Sequence, residues 1–272
     1  LDLAGIPLRT RDRKKGDTLV IGGGPCSYNP EPIADFFDIF YMGEGEVSYD
    51  ALLELYKVYK HSDMTREEFL IKVSNIPGLY VPELYEVTYK EDGTIASFAP
   101  RFEDVPATIT KTVVMDHSKV TYPEKPVVSF MKLTQDRVVL EIMRGCIRGC
   151  RFCQAGMIYR PTRPKDVNLL KGYAEKMLAS TGHEEITFSS LSSSDYEELP
   201  ELTDCLIEKM DNEHVNISLP SLRIDAFSLD VMSKIQDVKK SSLTFAPEAG
   251  TQRLRNVINK GLTKENIMDG AL

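Results

Sequence analysis

The second half of the chain repeats one pattern, a short apolar run followed by a helix-forming segment, and this repeat limits the fold more than any other feature. The runs that predict strands lie at residues 138–143, 185–191, 215–219 and 242–245. Helices are predicted at residues 166–180, after a capping box at 194–197, at 229–235 and from 250 onward. Strands joined by helices pair in parallel, because each helix returns the chain to the same end of the sheet. Four such units predict a parallel α/β sheet that forms a partial (β/α) barrel, short of the eight strands of a closed one.

Three of the five cysteines lie in the loop after the first of these predicted strands. Cys146, Cys150 and Cys153 have the spacing C-x3-C-x2-C, and a glycine precedes each of the first two. Thiolates ligate iron–sulfur clusters, and glycines let a loop wrap closely around one. Three neighbouring arginines favour the ionised thiols. Three ligands would leave one iron of a four-iron cluster open to an added ligand, as in catalytic rather than structural metal sites.

A zinc knuckle and a chance cluster of cysteines are the alternatives for this loop. Zinc sites usually pair two short cysteine or histidine spacings. The sequence has no second pair, and the nearest downstream histidine is His183, at the start of another predicted strand. Cys205 lies at core spacing on a predicted helix, where we expect a buried, inert thiol.

Composition excludes several classes of protein. The 272 residues carry 41 acidic and 33 basic side chains, a formal charge of −8, so no global field attracts nucleic acid or an anionic membrane. No apolar run approaches the roughly 20 residues of a membrane-spanning helix. Five cysteines in 272 residues are too few for a secreted disulfide framework, and an odd number cannot all pair. We expect a cytoplasmic protein without a membrane partner.

The first half of the chain divides into two predicted regions before the barrel region at 131–272. Residues 1–75 contain two predicted strands, each followed by a helix, which is typical of a Rossmann-like α/β layer. Two parallel strands are too few to enclose a hydrophobic core, so we infer that the chain is a fragment of a protein whose upstream strands are absent. Residues 76–130 are proline-punctuated and β-rich, with a predicted hairpin around Glu91-Asp92-Gly93, and are interpreted as a linker.

Longer strings of residues carry a resemblance to a known family. RGCIRGCRFCQAGMIYRPTR, with Phe152 just before the third cysteine, resembles the radical S-adenosylmethionine (radical SAM) superfamily. Together with SLSSSDY, LPSLRID, FAPEAGTQRLRNVINKG and the upstream VIGGGPCSYNPEP, it is similar to an uncharacterised radical SAM family with a cobalamin-binding-like N-terminal region.

The resemblance implies a cofactor set and a reaction. Cys146, Cys150 and Cys153 would hold a 4Fe-4S cluster, and the amine and carboxylate of S-adenosylmethionine (SAM) would chelate the fourth iron. An electron from a flavodoxin- or ferredoxin-type donor would cleave SAM to a 5′-deoxyadenosyl radical that abstracts a hydrogen atom from a substrate left unassigned. Cobalamin stays open as a cofactor, although no D-x-H-x-x-G ligand motif occurs in the sequence.

Further SAM contacts are expected at the ends of the predicted strands. Ser189 and Ser190 stand where the superfamily often has Gly-Gly-Glu for the SAM amine, and the alternative is a serine-rich loop ending in a helix cap.

The third and fourth predicted strands supply the remaining candidates. Arg223 would bind the SAM carboxylate, and Ser218 would reach the ribose. The alternative for Arg223 is a surface contact with Asp225. Glu248 would face SAM, or would be an acid at the N-terminus of a helix.

Two other functions remain open at this point. A basic run with no acid between Glu141 and Asp166, interleaved with Phe152 and Tyr159, keeps RNA open as a substrate. By analogy with the superfamily that the chain resembles, a methyl or methylthio transfer to RNA or protein is one alternative. The other is a cluster-binding or electron-transfer module without SAM cleavage.

Overall fold

The computed structural model describes residues 1–210, 215–220, 222–226, 233–234 and 245–270. The chain forms two compact units, Leu1–Val114 and Met115–Leu272. The three-part division into 1–75, 76–130 and 131–272 stays a prediction. No helix in the described ranges combines the length and the apolar character needed to cross a membrane.

The first unit contains a small sheet of mixed direction. Its strands are β1 (Ile21–Gly22), β2 (Ile39–Tyr41) and β3 (Leu79–Tyr80). As predicted, β1 and β2 are parallel; β3 joins β2 in the antiparallel direction. The helices α1 (Tyr49–Lys60) and α2 (Arg66–Ser74) follow β2. The predicted hairpin is also present, formed by β4 (Tyr85–Tyr89) and β5 (Ile95–Pro100).

Short 3₁₀ helices make up much of the rest of this unit. They span Asp2–Ala4, Thr10–Asp12, Pro25–Tyr28, Glu31–Phe36, Gly45–Val47 and Pro82–Leu84. The α-helix expected after the first predicted strand is wrong, because the chain makes 3₁₀ turns over Glu31–Phe36 instead. Pro32 disfavours the α conformation of the residue before it, and six residues are too few for a stable α-helix.

A buried cluster of charges fixes the N-terminal segment to β2. Asp38, whose side chain is 0% exposed, pairs with Arg13 at 2.8 Å and with Arg66 at 2.5 Å. Arg66 also pairs with Glu83 at 2.7 Å, and Thr10 donates its hydroxyl to Asp38 at 2.7 Å. Because each buried charge has a partner, the cluster avoids the penalty of an unpaired buried ion.

The second unit contains the predicted parallel sheet. Its strands β6 (Val138–Glu141), β9 (Glu185–Ser189) and β10 (Asn216–Ser218) pair in parallel in the order β10-β9-β6. Two further short strands, β7 (Met143–Arg144) and β8 (Arg163–Pro164), pair in the antiparallel direction. The predicted α/β class is confirmed. The fourth strand, expected at 242–245, and the helix at 229–235 lie largely outside the described residues.

Helices cover this sheet. The α-helices are α3 (Ala155–Ile158), α4 (Val167–Thr181), α5 (Leu199–Met210), α6 (Gln252–Val257) and α7 (Lys264–Asp269). The 3₁₀ helices span His117–Lys119, Ser193–Asp195 and Ile224–Ala226. The buried core between helices and sheet includes Val138, Leu140, Ile186, Phe188, Leu170 and Leu202.

Two local predictions in this unit are wrong. The strand expected at 138–143 is divided, because Ile142 still donates to β9 at Ser189 whereas the next two residues turn away to pair with β8. The capping box expected at 194–197 does not form. The Ser194 hydroxyl instead accepts the backbone N–H of Arg223 at 3.1 Å, and α5 begins only at Leu199.

Candidate metal centre

The cysteine loop leaves the sheet at the carboxyl edge, the edge at which β6, β9 and β10 end. Cys146, Cys150 and Cys153 are free thiols with partial exposure. Two backbone amides point at their sulfurs: the N–H of Arg148 lies 3.4 Å from Cys146 Sγ and the N–H of Gly156 lies 3.3 Å from Cys153 Sγ. Hydrogen bonds to sulfur stabilise thiolates and tune the potential of iron–sulfur clusters.

The donor set fits an iron–sulfur cluster better than a single ion. In the part of the chain that the structure describes, no three His, Cys, Asp or Glu side chains converge on one point that would hold a metal ion. A cluster attaches each thiolate to a different iron of one cube, so its thiols surround the cube at wider spacing than the ligands of a single ion. The loop supplies three thiols and amide donors to two of the sulfurs, which suits that arrangement.

Gly145 determines how the chain enters this loop. Its φ is +82°, and a Cβ atom there would lie 2.6 Å from the carbonyl oxygen of Pro161 and 2.7 Å from that of Tyr159. Only glycine accommodates both the left-handed backbone and the close approach. At Gly145, the positive φ and the close backbone neighbours explain why the loop needs a glycine.

An ionic network connects the cysteine loop with the loops after β9 and β10. Arg148 donates from Nε to Asp195 Oδ2 at 2.9 Å, and its Nη2 donates to the other oxygen of the same carboxylate. Its Nη1 donates to Asp225 Oδ2 at 3.4 Å. Arg223 in turn donates from Nε and Nη2 to the two oxygens of Asp225, each at 2.9 Å. One arginine between two cysteines is thus bound by carboxylates from two other loops.

The network shifts the pKa values of Asp195, Arg148 and Arg223 in the direction that favours their ionised forms. Burial alone would raise the pKa of Asp195, but the hydrogen bonds from Arg148 outweigh it and hold that pKa below its usual range. The same hydrogen bonds raise the pKa of Arg148. Burial would lower the pKa of Arg223, but the hydrogen bonds from its guanidinium to Asp225 outweigh this effect and raise it.

The predicted SAM contacts Phe152, Arg223 and Glu248 are joined through Lys260. The Lys260 ammonium lies 5.9 Å from the centre of the Phe152 ring and 3.3 Å from Glu248 Oε1. The carbonyl of Lys260 accepts a hydrogen bond from Arg223 Nη2 at 2.8 Å. Glu248 has a φ of +66° and precedes α6, whose N-cap is Thr251.

The predicted serine contacts lie at the same carboxyl edge. Ser189 ends β9 and Ser218 ends β10, so both stand where functional loops begin. Ser190 shares a hydrogen bond with Ser193 at 3.0 Å, and Ser193 donates to the carbonyl of Pro220 at 2.8 Å. Their contacts to SAM stay predictions, as do those of Phe152, Arg223 and Glu248. The Arg223–Asp225 pair weighed as an alternative is present, but it is largely buried and not a surface contact.

A second charged cluster lies at the end of β6, beside Ser189 in the sheet register. Arg144 binds both oxygens of Glu141, at 2.9 Å and 3.0 Å, and the buried His117 Nε2 lies 3.1 Å from Glu141 Oε2. Burial alone would raise the pKa of Glu141, but the hydrogen bonds from His117 and Arg144 lower it to about 2. This carboxylate therefore fixes Arg144, the residue directly before Gly145.

Most of the basic run is used inside the protein. Arg144 and Arg148 form the ion pairs described above, and Arg163 is buried and donates to the carbonyls of Tyr159 and Pro161. Lys165 is buried too, with its ammonium 4.3 Å from the centre of the Tyr122 ring. Arg151 and Arg160 are the members of the run with exposed side chains. The basic surface is therefore smaller than the sequence indicates.

Several residues at this edge were not expected to belong to a site. They are His117, Glu141, Asp195, Asn259 and Lys260. Asp195 follows a predicted strand, and this position could have identified it as a site residue. His117 lies outside the strand–helix repeat, so the sequence pattern does not indicate that it belongs to the site. Cys205 was expected to be buried and is partly exposed, whereas Leu202 and Leu206 on the same helix are fully buried.

The chain was compared with known proteins. A model of the radical SAM superfamily matches residues 140–272, and a model of the N-terminal region of radical SAM proteins matches residues 1–82. An uncharacterized protein of Methanocaldococcus jannaschii is 31% identical over 260 residues, which are 94% of this chain and 49% of that protein. The chain thus spans about half the length of this relative.

Solved structures of low sequence identity share the fold. The cobalamin-dependent SAM radical enzyme OxsB, with aqua-cobalamin and SAM bound, matches with a TM-score of 0.59 at 15% identity, over 93% of this chain and 34% of its own. The radical SAM methyltransferase TsrM from Kitasatospora setae, with tryptophan and a SAM analog bound, matches with a TM-score of 0.54 at 15% identity, over 92% of this chain and 46% of its own. With both family models matched and the three cysteines at the end of the first strand of the parallel sheet, this chain belongs to the radical SAM superfamily.

Proposed function

We propose that this chain carries the cluster and SAM sites of a radical SAM enzyme that acts on a substrate still to be identified. The observation that carries the proposal is the cysteine loop itself. Its three free thiols stand at the carboxyl edge of a parallel sheet, and backbone amides donate to two of the sulfurs. When bound there, a 4Fe-4S cluster supplies the single electron that cleaves SAM to methionine and a 5′-deoxyadenosyl radical.

The protein's own part in this reaction is to hold and orient. Cys146, Cys150 and Cys153 are the proposed cluster ligands. Arg148 lies between two of them and is held by Asp195 at 2.9 Å, so its positive charge stays beside the thiolates and favours their ionised form.

The SAM contacts are proposed for the neighbouring loops. Arg223 is oriented by Asp225 before any ligand binds, which suits planar recognition of a carboxylate. Ser189 and Ser190 would accept hydrogen bonds from the SAM amine, and Ser218 would contact the ribose. Phe152 and Glu248, joined through Lys260, would complete this wall of the site.

Cobalamin is proposed as a second cofactor to be tested, since OxsB is described as cobalamin-dependent. In the first unit, Gly22 ends β1, Gly23 and Gly24 follow it, and Gly24 has a φ of +83°. Glycine-rich strand ends of this kind accommodate close approach of a nucleotide or phosphate group. Binding of hydroxocobalamin, followed by its visible spectrum, tests this part separately. An unchanged spectrum after gel filtration would remove cobalamin from the proposal.

The test of the main proposal is anaerobic reconstitution with iron and sulfide, followed by reduction and an assay for 5′-deoxyadenosine with SAM. We expect about four irons per chain and SAM cleavage that is lost in Cys150→Ala. Cys205→Ala is the matched control, since this thiol lies on α5 outside the loop, and it should keep both iron and cleavage. A reduced flavodoxin or ferredoxin should replace the chemical reductant.

Other outcomes would refute the proposal in different ways. A stable cluster without SAM cleavage would identify an electron-transfer module. Zinc bound in place of iron would identify a structural site. Transfer of a methyl group from SAM to RNA or protein, without release of free 5′-deoxyadenosine, would favour a transferase.

A further inference from the structure

The segment 257–260, which begins at the last residue of α6 and is here named the clamp, contacts the cysteine loop at several points. The backbone N–H of Arg151 donates to the carbonyl of Ile258 at 2.9 Å, and the guanidinium of Arg151 donates to the carbonyl of Val257. The side-chain amide of Asn259 donates to the carbonyl of Gly149 at 2.8 Å. These partners are about a hundred residues apart in the sequence, so tertiary structure alone brings them together.

The clamp contacts fall on both sides of Cys150. The carbonyl of Gly149 belongs to the peptide plane before the Cα atom of Cys150, and the N–H of Arg151 belongs to the plane after it. A residue has only two soft backbone dihedrals, and they set the angles between its two neighbouring peptide planes. Because the clamp holds both planes, it fixes the backbone of Cys150 and thereby the direction in which its thiol leaves the loop.

This arrangement complements the amide donors to the other sulfurs. The amides of Arg148 and Gly156 donate directly to Cys146 Sγ and Cys153 Sγ. For Cys150 the contacts are to the backbone on either side. The three proposed ligands are thus oriented in two different ways, two within the loop and one from the clamp.

The clamp is itself held rigidly. Asn259 has a φ of +54°, a left-handed conformation that asparagine tolerates better than most residues. The backbone N–H of Lys260 donates to the carbonyl of Arg255 at 2.9 Å. Arg255 is buried and donates to the carbonyls of Ala249 and Leu262 at 2.9 Å and 3.0 Å. The amide of Asn259 therefore reaches Gly149 from a fixed base.

We propose that Asn259 is a positioning residue for the cluster, which orients Cys150 for ligation through the carbonyl of Gly149. The proposal rests on the proposed function, because it assigns Cys150 as a ligand. Asn259 itself touches neither the thiol nor any reacting atom. Its side-chain amide holds the peptide plane before Cys150 by the 2.8 Å hydrogen bond to the Gly149 carbonyl.

The decisive variant is Asn259→Gly, which keeps the left-handed backbone available and removes only the amide. Asn259→Asp is the second variant, since it keeps the shape and replaces the donor by an acceptor that faces the Gly149 carbonyl. Asn256→Ala is the matched control: Asn256 is exposed on α6, directly before the clamp, and its side chain accepts a hydrogen bond from Gln252 at 2.9 Å.

The first measurement uses the metal-free chain. The rate of alkylation of Cys150 by iodoacetamide is followed by peptide mass spectrometry, with Cys205 as the internal reference. Loss of one hydrogen bond should raise the Cys150 rate about fivefold in Asn259→Gly and Asn259→Asp, and Asn256→Ala should match the wild type. Circular dichroism melting confirms that each variant is folded.

The second measurement uses the reconstituted chain. Removal of iron by a chelator should be about fivefold faster in both Asn259 variants, and the electron paramagnetic resonance spectrum of the reduced cluster should change on substitution. Equal alkylation and equal iron release in wild type and Asn259→Gly would overturn the positioning role. If the wild type binds no cluster, the proposed function fails, and the alkylation rates still decide whether the clamp orients Cys150.

Discussion

Replacing Gly145 by alanine tests whether the entry to the cysteine loop is fixed by backbone geometry. The φ of Gly145 is +82°, and the added Cβ would lie 2.6 Å from the oxygen of Pro161, 2.7 Å from the oxygen of Tyr159 and 2.9 Å from the Cα of Thr162. All three neighbours are backbone atoms, which cannot move aside as the end of a flexible side chain would. Either the strain remains or the loop shifts.

The expected loss of stability has two contributions, the strained backbone and the crowding of the added Cβ. A left-handed conformation costs an L-residue about 1–2 kcal/mol. Overpacking against fixed neighbours costs typically about 1–3 kcal/mol. The free energy of unfolding of the second unit should therefore fall by about 2–5 kcal/mol, unless the loop moves and carries Cys146 away from its position. In that case the loss appears in iron content after reconstitution.

Denaturant unfolding of the metal-free chain and iron content after reconstitution measure the two terms. The matched control is Gly172→Ala, at a helical position of α4 where an added Cβ meets nothing within 4 Å. Alanine there should stabilise the chain by about 0.5–1 kcal/mol, since glycine is costly inside a helix. If Gly145→Ala unfolds like the wild type and binds as much iron, the reasoning from the positive φ and the close contacts is wrong.

The remaining predictions concern charged residues. Because the pKa of Glu141 is lowered from 4.5 to about 2, its carboxylate contributes stability above about pH 4.5 that is lost as the pH falls towards 2. The difference in unfolding free energy between wild type and Glu141→Gln, about 3 kcal/mol at neutral pH, should shrink across that range in acid titrations, and a constant difference would contradict the lowered pKa. Asp38→Asn should cost about 3–5 kcal/mol in denaturant unfolding, because it leaves the buried Arg13 uncompensated, whereas Asp35→Asn in an exposed pair should cost less than about 1 kcal/mol. Lys260→Met should make the reduction potential of the bound cluster more negative in a redox titration, since it removes a cation near a centre that gains an electron; an unchanged potential would show that the ammonium lies too far away.

The strands and helices that the sequence predicted well are those with strong local signals. The segment Thr65-Arg66-Glu67-Glu68 predicts a capping box. The box forms, because both of its hydrogen bonds are local. The helix predicted at residues 166–180 is present as α4 (Val167–Thr181), and the side chain of Asp166 caps it by accepting the N–H of Asn168 and of Leu169. The capping box expected at Ser194 fails because a distant partner, the N–H of Arg223, takes the hydroxyl. Local pattern cannot reveal that competition.

The same distinction applies to the site. The spacing of the cysteines is a local feature, so the three proposed ligands could be named from the sequence. Arg148 binds carboxylates 47 and 77 residues away, and nothing in the sequence near those carboxylates marks them as its partners. The contact of Asn259 with Gly149 spans 110 residues and involves a backbone carbonyl, which carries no residue-specific signal at all. Knowledge of the tertiary structure is required for such contacts.

The ionic network at the carboxyl edge contributes orientation more than stability. In partly buried ion pairs, the cost of removing the charges from water offsets most of their attraction. The Arg148–Asp195 and Arg223–Asp225 pairs therefore add little to the free energy of unfolding. Their geometry explains their presence better, because each arginine binds both oxygens of one carboxylate and its planar guanidinium is fixed in direction. Asp225 also bonds Arg148, so the loops after β9 and β10 and the cysteine loop are held in one arrangement before a ligand arrives. The proposed reaction would require an electron donor to be aligned with a bound sulfonium, and small displacements of reacting groups cost large factors in rate.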